Sequence, residues 1–324
     1  MMREPDDIRT VAVLGCGLIG FSWAVVFSRH GRTVNLYNRP SPSLGTAKDR
    51  VRASLGLLRR EGVIDERCAR ESLARVRTFD DLAAAVAGAD YVQEALPEDL
   101  ELKQRVFAQV AELTPGEVVI GSSCSGLMRA DIVRLVGRHP ERCLVAHPTN
   151  PPHLLPFMEV AGDEASEEAK VATVRFMEAV GQRPVRCKEV YGHVLNRLQL
   201  ALLQQALHLV REGICSVEAV EAALTDGLGP RWALTGPYGV EELNSGDLGE
   251  GLRKYKAYML AGFRDLGAVE GYDEEFVQRA VEGFRPLMEG RDHDDYLAWR
   301  DRLLVRARAL KEGPPAPRQE PSPP

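Results

Sequence analysis

No two of the six cysteines stand in a C-x-x-C pair; Cys16, Cys68, Cys124, Cys143, Cys187 and Cys215 are scattered along the chain. That spacing argues against a zinc knuckle and a disulfide framework and suits small core residues. A basic excess is missing too. Lys and Arg number 41 against 47 Asp and Glu, a formal net charge of −6, so nothing points to a nucleic-acid backbone as partner. A local arginine pocket for a small anion stays open. No apolar run approaches a membrane span, and the opening MMREPDDIRT has neither the apolar core nor the cleavage site of a leader. A reducing cytoplasm is the expected location. No histidine has metal-ligand neighbours in sequence, so no metal is expected.

What is present is a packed globule's composition, 44% apolar and 27% charged, over 324 residues, a length that suits two domains. Short runs rich in Val, Ile and Leu predict buried strands at Thr10–Leu14, Thr33–Tyr37, Tyr91–Ala95, Glu117–Ile120 and Cys143–Ala146. Amphipathic stretches alternate with them, as in Leu100–Leu113 with Leu102, Val106, Phe107, Val110 and Leu113 on one face. Strand and helix in alternation imply a parallel sheet covered by helices. The charged helical stretch over about 50–77 breaks the rhythm. It reads as a projecting helical arm or as an ordinary crossover with an extra turn. After about Lys188 the strand signals stop. Helices are predicted over Gly192–Arg211, Ser216–Leu224, Leu248–Leu266, Tyr272–Glu289 and Asp294–Leu310. The fold class is therefore an α/β Rossmann-type parallel-sheet domain over 1–190, followed by an all-α domain over 191–312. The apolar stripes of the second domain predict burial against a partner subunit, a homodimer. From Gly313 the Pro-rich stretch GPPAPRQEPSPP can build no core and is expected to be disordered.

The first predicted strand runs into Gly15-Cys16-Gly17-Leu18-Ile19-Gly20 and then a helix. In a G-x-G-x-x-G turn the first glycine leads the chain out of the strand. The second lets a pyrophosphate reach bare backbone, and the third lets helix pack on strand. With the N–H groups of Leu18 and Ile19 opening the helix, the segment predicts a dinucleotide site for NAD or NADP. At the end of the second strand an NAD enzyme usually carries Asp or Glu for the ribose hydroxyls. This chain has Asn38-Arg39. Either the guanidinium of Arg39 pairs with a 2′-phosphate, giving NADP acceptance, or Asn38 still bonds the ribose and Arg39 is merely solvated.

Three further islands stand together: Gly121–Leu127 (GSSCSGL), Ala146–Pro152 (AHPTNPP) with Pro156–Val160 (PFMEV), and Gly192–Leu198 (GHVLNRL). With Ser22-Trp23-Ala24, Pro97–Lys103 (PEDLELK) and Gly227–Ala233 (GLGPRWA), the chain from Val11 to about Leu310 resembles the 3-hydroxyacyl-CoA dehydrogenase family. It stands nearest the branch that holds lambda-crystallin (L-gulonate 3-dehydrogenase) and L-carnitine dehydrogenase. The resemblance puts the family's catalytic residues on Ser125, His147, Glu159 and Asn196, and sets Glu98 and Lys103 near the nicotinamide half of the cofactor. It implies hydride transfer at the 3-carbon of a 3-hydroxy or 3-oxo acyl compound.

These residue types suit that chemistry on their own terms. Oxidising a secondary alcohol needs a base for the hydroxyl proton, and an imidazole titrates near neutral pH. Glu159 would fix its tautomer, and Ser125 and Asn196 would hold the substrate oxygen. Taken singly, each has a plainer reading: Ser125 and Asn196 as helix caps, His147 as a structural histidine, Glu159 as a strand end. A Ser/His/Glu hydrolase is excluded because no G-x-S-x-G turn leads into a helix. His153 and His193 fall near the islands and are both expected to line the pocket, and His153 is counted as a substrate residue. Arg231 either grips a substrate carboxylate or holds a helix end or subunit contact. Three substrate classes remain open: a free 3-hydroxy acid, a coenzyme A thioester reached by the arm around Arg59-Arg60, and a polyketide-type 3-oxo chain for a ketoreductase. A non-catalytic, crystallin-like dinucleotide-binding protein is the alternative to all three.

Overall fold

Strand β1 (Thr10–Leu14) is buried on both faces from Val11 onward, as a central parallel strand must be. The computed structural model describes residues 2–234, 236–245, 248–266 and 293–311. The expected tail from Gly313 and the helix expected over Tyr272–Glu289 lie outside them. Around β1 the chain adds β2 (Thr33–Tyr37), β3 (Val76–Phe79), β4 (Tyr91–Glu94), β5 (Val119–Ser122), β6 (Cys143–Pro148), β7 (Phe157–Ala161) and β8 (Arg183–Arg186). The sheet order is β3-β2-β1-β4-β5-β6-β7-β8. Every neighbouring pair is parallel except β6 and β7, which run antiparallel. Strand order reverses between β1 and β4. The crevice at the carboxyl ends of such strands is where open α/β sheets hold their ligands.

The connecting helices are α1 (Leu18–Arg29), α2 (Pro42–Arg60), α3 (Glu66–Arg75), α4 (Leu82–Val86), α5 (Leu100–Leu113), α6 (Arg129–Ile132) and α7 (Glu167–Ala179). Trp23, Phe27, Tyr91 and Phe176 stack through one side of the sheet. On the same side, α2 buries Ala47, Val51, Leu55 and Leu58 in the common core with α1 and β2. The charged stretch after residue 50 is thus two helices, each opened by a side-chain cap: Ser41 on Leu44 N and Asp65 on Cys68 N.

Three strands carried no expectation. β3 and β8 are four-residue edge strands, VRTF and RPVR, whose charged residues mask any apolar alternation. Pro184 is tolerated in β8 because an edge strand leaves N–H positions unpaired. β7 falls inside a stretch where the proline-rich loop dominates the pattern. β5 begins two residues later than expected, since Val118 N–H is spent on a turn to Pro115 O.

Helix α8 (Leu195–Arg211) follows β8. It starts three residues after Gly192 because Gly192 (φ 73°) and His193 (φ 45°) are both left-handed. The chain divides into two compact units, residues 1–197 with Trp299 onward, and Leu198–Ala298. The second unit is helical wherever it is described, with helices at Val217–Ala222, Gly229–Leu234, Pro237–Ser245, Leu248–Lys254 and Lys256–Asp265. The single helix expected over Leu248–Leu266 is two, interrupted at Tyr255. Among the described residues no helix is long and apolar enough to cross a membrane.

A buried cation closes the far end of α5. Arg142 is fully buried. Its Nη1 donates to Pro115 O and to Val118 O (2.8 Å), and its Nη2 to Ala111 O (2.8 Å) and Thr114 O (3.2 Å). A guanidinium on the last carbonyls of a helix satisfies orphan acceptors and complements the dipole. Arg142→Met, similar in length and without donors, should lower the unfolding free energy by about 3 kcal/mol, because buried carbonyls are left unpaired. A matching drop in the urea midpoint of the intact chain would be the measurement.

Candidate active site

The glycine turn at the end of β1 shows three different demands. A Cβ on Gly15, at φ 104°, would lie 2.4 Å from Ala95 O, and one on Gly20 would lie 1.7 Å from Gly15 O. Those two positions exclude a side chain for internal reasons. A Cβ on Gly17 would meet nothing within 4 Å. Gly17 caps α1 without a side-chain acceptor, so the N–H groups of the first turn face an open cradle. This is the arrangement a pyrophosphate requires, and the residues present fit a dinucleotide. Arg50 braces the turn from α2, donating to Cys16 O at 2.7 Å with its guanidinium 5.2 Å from the ring centre of Phe21.

Beyond β2 a cleft of about 590 Å³ is lined by Tyr37, Asn38, Arg39, Ser41, Leu96 and Pro97, among others. The Nδ2 of Asn38 donates to Ser41 Oγ at 2.8 Å, which orients its amide. Arg39 is exposed, and no carboxylate among the described residues pairs with it.

At the ends of β4 and β5 the structure joins Glu98 to Ser125. The N–H and Oγ of Ser125 donate to Glu98 Oε1 at 2.6 and 2.8 Å, and Cys124 Sγ donates to Oε2 at 2.9 Å. Burial works to raise the Glu98 pKa, but these donors and nearby Lys103 outweigh it, and the carboxyl is held below its usual range. Burial, with Glu98 adding, pushes the Cys124 thiol up to about 12. It therefore stays a donor. Lys103 is buried against Glu94, with Nζ 2.7 Å from Oε1, 3.2 Å from Leu96 O and 3.9 Å from Glu98. Glu94 Oε1 also accepts from Leu96 N (2.6 Å), and Oε2 accepts from Ser122 Oγ. A buried ion pair is tolerable only when its remaining valences are met in this way.

The second pair comes from the antiparallel step in the sheet. His147 on β6 lies directly opposite Glu159 on β7, and directly opposed residues point to one face. His147 Nδ1 is 2.8 Å from Glu159 Oε2. The other oxygen, Oε1, accepts from Val194 N (2.7 Å) and Leu195 N (2.8 Å), the first N–H groups of α8. Glu159 is fully buried. Burial alone would raise its pKa, yet the bonds from His147, Leu195 and Val194 together lower it. Asn196 follows in the first turn of α8, its N–H bonded to Gly192 O at 3.1 Å.

Of the other sequence candidates, His153 is joined to α1. Its Nδ1 meets Ser22 Oγ, which also accepts the His153 backbone N–H at 3.3 Å. Burial pushes its pKa down to about 3, with Arg29 and Arg300 adding to the effect. It lines a separate cavity of about 450 Å³ with Leu58, Glu61 and Arg306. Arg231 belongs to the second compact unit, with Nη2 3.5 Å from Asn244 Oδ1. Sequence reasoning missed Glu94 and Cys124, and named His193 only as lining the pocket. A carboxylate inside a strand expected to be buried was the available signal for the first. Nothing in the pattern marked the thiol.

Comparison with known proteins places this geometry. Residues 10–190 match the model of the 3-hydroxyacyl-CoA dehydrogenase NAD binding domain, and residues 192–278 match that family's C-terminal domain. L-carnitine dehydrogenase of Streptomyces coelicolor is 36% identical over 309 residues, covering 94% of this chain and 95% of that protein. The lambda-crystallin homolog of Rattus norvegicus is 33% identical over 308 residues, covering 93% and 96%. The crystal structure of 5-formyl-3-hydroxy-2-methylpyridine 4-carboxylic acid 5-dehydrogenase, an NAD+ dependent dismutase, superposes with a TM-score of 0.81 at 26% identity, over 95% of this chain and 100% of that one. An NAD-binding Rossmann-type sheet, a helical C-terminal domain and relatives of this extent make the chain an oxidoreductase acting on CH–OH, a member of the 3-hydroxyacyl-CoA dehydrogenase family.

Proposed function

We propose that the protein interconverts a 3-hydroxy and a 3-oxo acid or acyl thioester, with His147 as the proton-transfer residue. The observation that carries this reading is the His147–Glu159 pair at the carboxyl edge of the sheet. Glu159 holds Nδ1, so Nε2 is the nitrogen left for substrate. In oxidation Nε2 takes the hydroxyl proton, and the carboxylate behind it stabilises the imidazolium. In reduction the same nitrogen returns the proton. Asn196, at the start of α8, holds the substrate oxygen while charge builds on it, and Ser125 joins it by turning its hydroxyl hydrogen from Glu98 to that oxygen. When bound, the dinucleotide supplies or accepts the hydride, and Gly15, Gly17, Leu18, Ile19 and Gly20 would hold its phosphates. Glu98 and Lys103 would flank its nicotinamide half.

Three finer points follow from single observations. Asn38 in place of an acid, beside an exposed Arg39 that pairs with no carboxylate among the described residues, supports acceptance of NADP as well as NAD. Arg231, whose described neighbour is a neutral amide, is the candidate cation for a substrate carboxylate. The exposed Leu243, Tyr258 and Phe263 of the second unit support a homodimer through the helical domain.

A screen of 3-oxo acids, esters and thioesters with NADH and NADPH, followed by nicotinamide absorbance, tests the activity. Tight cofactor binding without turnover of any of them would instead favour a crystallin-like binding protein. His147→Ala should leave cofactor affinity intact while kcat falls by about 10²–10⁴, the usual worth of a placed acid–base; unchanged turnover removes the assignment. Arg39→Ala should raise the Kd for NADPH by about tenfold or more with little change for NADH, as the loss of a charge-assisted pair implies. Equal effects on both cofactors would mean that Arg39 ignores the 2′-phosphate.

A further inference from the structure

His193 is a second imidazole beside the first. Its ring centre lies 5.9 Å from that of His147, tilted by 43°. The residue is only 2% exposed, and its Nδ1 is buried without a partner. Neither ring nitrogen bonds to any described residue. A buried polar group left unpaired costs about 1–3 kcal/mol, so the position calls for a reason. The backbone adds to the cost, since φ 45° is unfavourable for a residue with a Cβ. That left-handed step is also what aims the N–H groups of Val194 and Leu195 at Glu159.

The surroundings narrow what the ring can do. The charges that act on it are Glu159, His147 and Glu98, and its ring lies against that of His147. Burial holds its pKa below the ordinary histidine value. His147 lowers it further, and the two carboxylates, which favour charge, do not compensate. A neutral ring does not oppose the charge that His147 gains as it takes a proton. A neutral imidazole offers one N–H donor, and no described acceptor meets it. A ligand oxygen is the acceptor that would.

Resting on the 3-oxo/3-hydroxy reading above, we propose that His193 is a specificity-determining residue, donating a hydrogen bond to the C1 oxygen of the substrate while His147 serves the oxygen on C3. Two neighbouring imidazoles thus read two oxygens borne by carbons in a 1,3 relation. Free acid and thioester share the C1 oxygen, so the ring selects for the 3-oxo acyl pattern over an isolated ketone.

Two variants respect the left-handed backbone. His193→Gly removes the donor; His193→Asn keeps an N–H donor and a residue type that tolerates this conformation. Fluorescence titration with NADH verifies that each folds and binds the dinucleotide. With a 3-oxo acid or thioester that the parent enzyme reduces, the glycine variant should raise KM by about tenfold or more, the worth of one hydrogen bond to an oxygen acceptor, with kcat changed less than about threefold. The asparagine variant should recover most of the loss, and added imidazole should lower the KM of the glycine variant. An unmoved KM, a fall in kcat alone, or an asparagine variant no better than glycine would each overturn the assignment. If the parent reduces no 3-oxo compound at all, the activity reading itself fails and His193 falls with it. Retained turnover with an unmoved KM fails His193 only.

Discussion

The carboxylate of Glu159 is the point through which the site is tied together. It has two oxygens and uses both: one on the ring of His147, the other on two backbone N–H groups at the start of α8. A single buried side chain therefore sets the orientation of the imidazole and the position at which the following helix begins. A buried carboxylate without such partners would be costly; with three donors it is held as an anion. The geometry depends on one exception in the sheet, the antiparallel step from β6 to β7, which sets residues 147 and 159 opposite each other. A parallel crossover would have needed a dozen or more residues, whereas the connection here is the short loop between Pro148 and Phe157.

The second half of the site is built on the same plan. Glu98 also divides its oxygens, one to the backbone and hydroxyl of Ser125 and one to the Cys124 thiol. Behind it, Lys103 and Glu94 form a dry ion pair whose spare valences go to Leu96 and Ser122. In each half a carboxylate fixes a hydrogen-bonding group toward the crevice at the carboxyl edge of the sheet, fully buried in the case of Glu159 and partly exposed in that of Glu98. Preorganised groups of this kind need little rearrangement when substrate charge develops.

Much of this was legible in the sequence because the signals were local. The glycine turn announces itself by spacing, and the central strands β1, β2 and β4 by short segments rich in Val, Leu and Tyr. The His147–Glu159 pair was reachable through motifs, although its members lie 12 residues apart; Ser125 and Glu98 were each singled out, but the bond between them was not. The edge strands β3 and β8 were not legible, since four residues interrupted by charge show no clear alternation. Glu94 and Cys124 were missed for another reason: a buried polar residue is identified by its partners, and those come from other strands. The left-handed backbone at His193 is a tertiary demand, set by the helix start that Glu159 requires, and no residue pattern encodes it.

The three glycines of the nucleotide turn differ in what holds them. Gly15 and Gly20 are fixed by the protein's own atoms, so any replacement there disturbs the β1–α1 junction itself. Gly17 is bare toward empty space. A methyl group at that position would leave packing, strand order and helix start as they are and fill only volume reserved for phosphate oxygens. Two of the three are therefore constrained by architecture, and the middle one answers to the ligand alone.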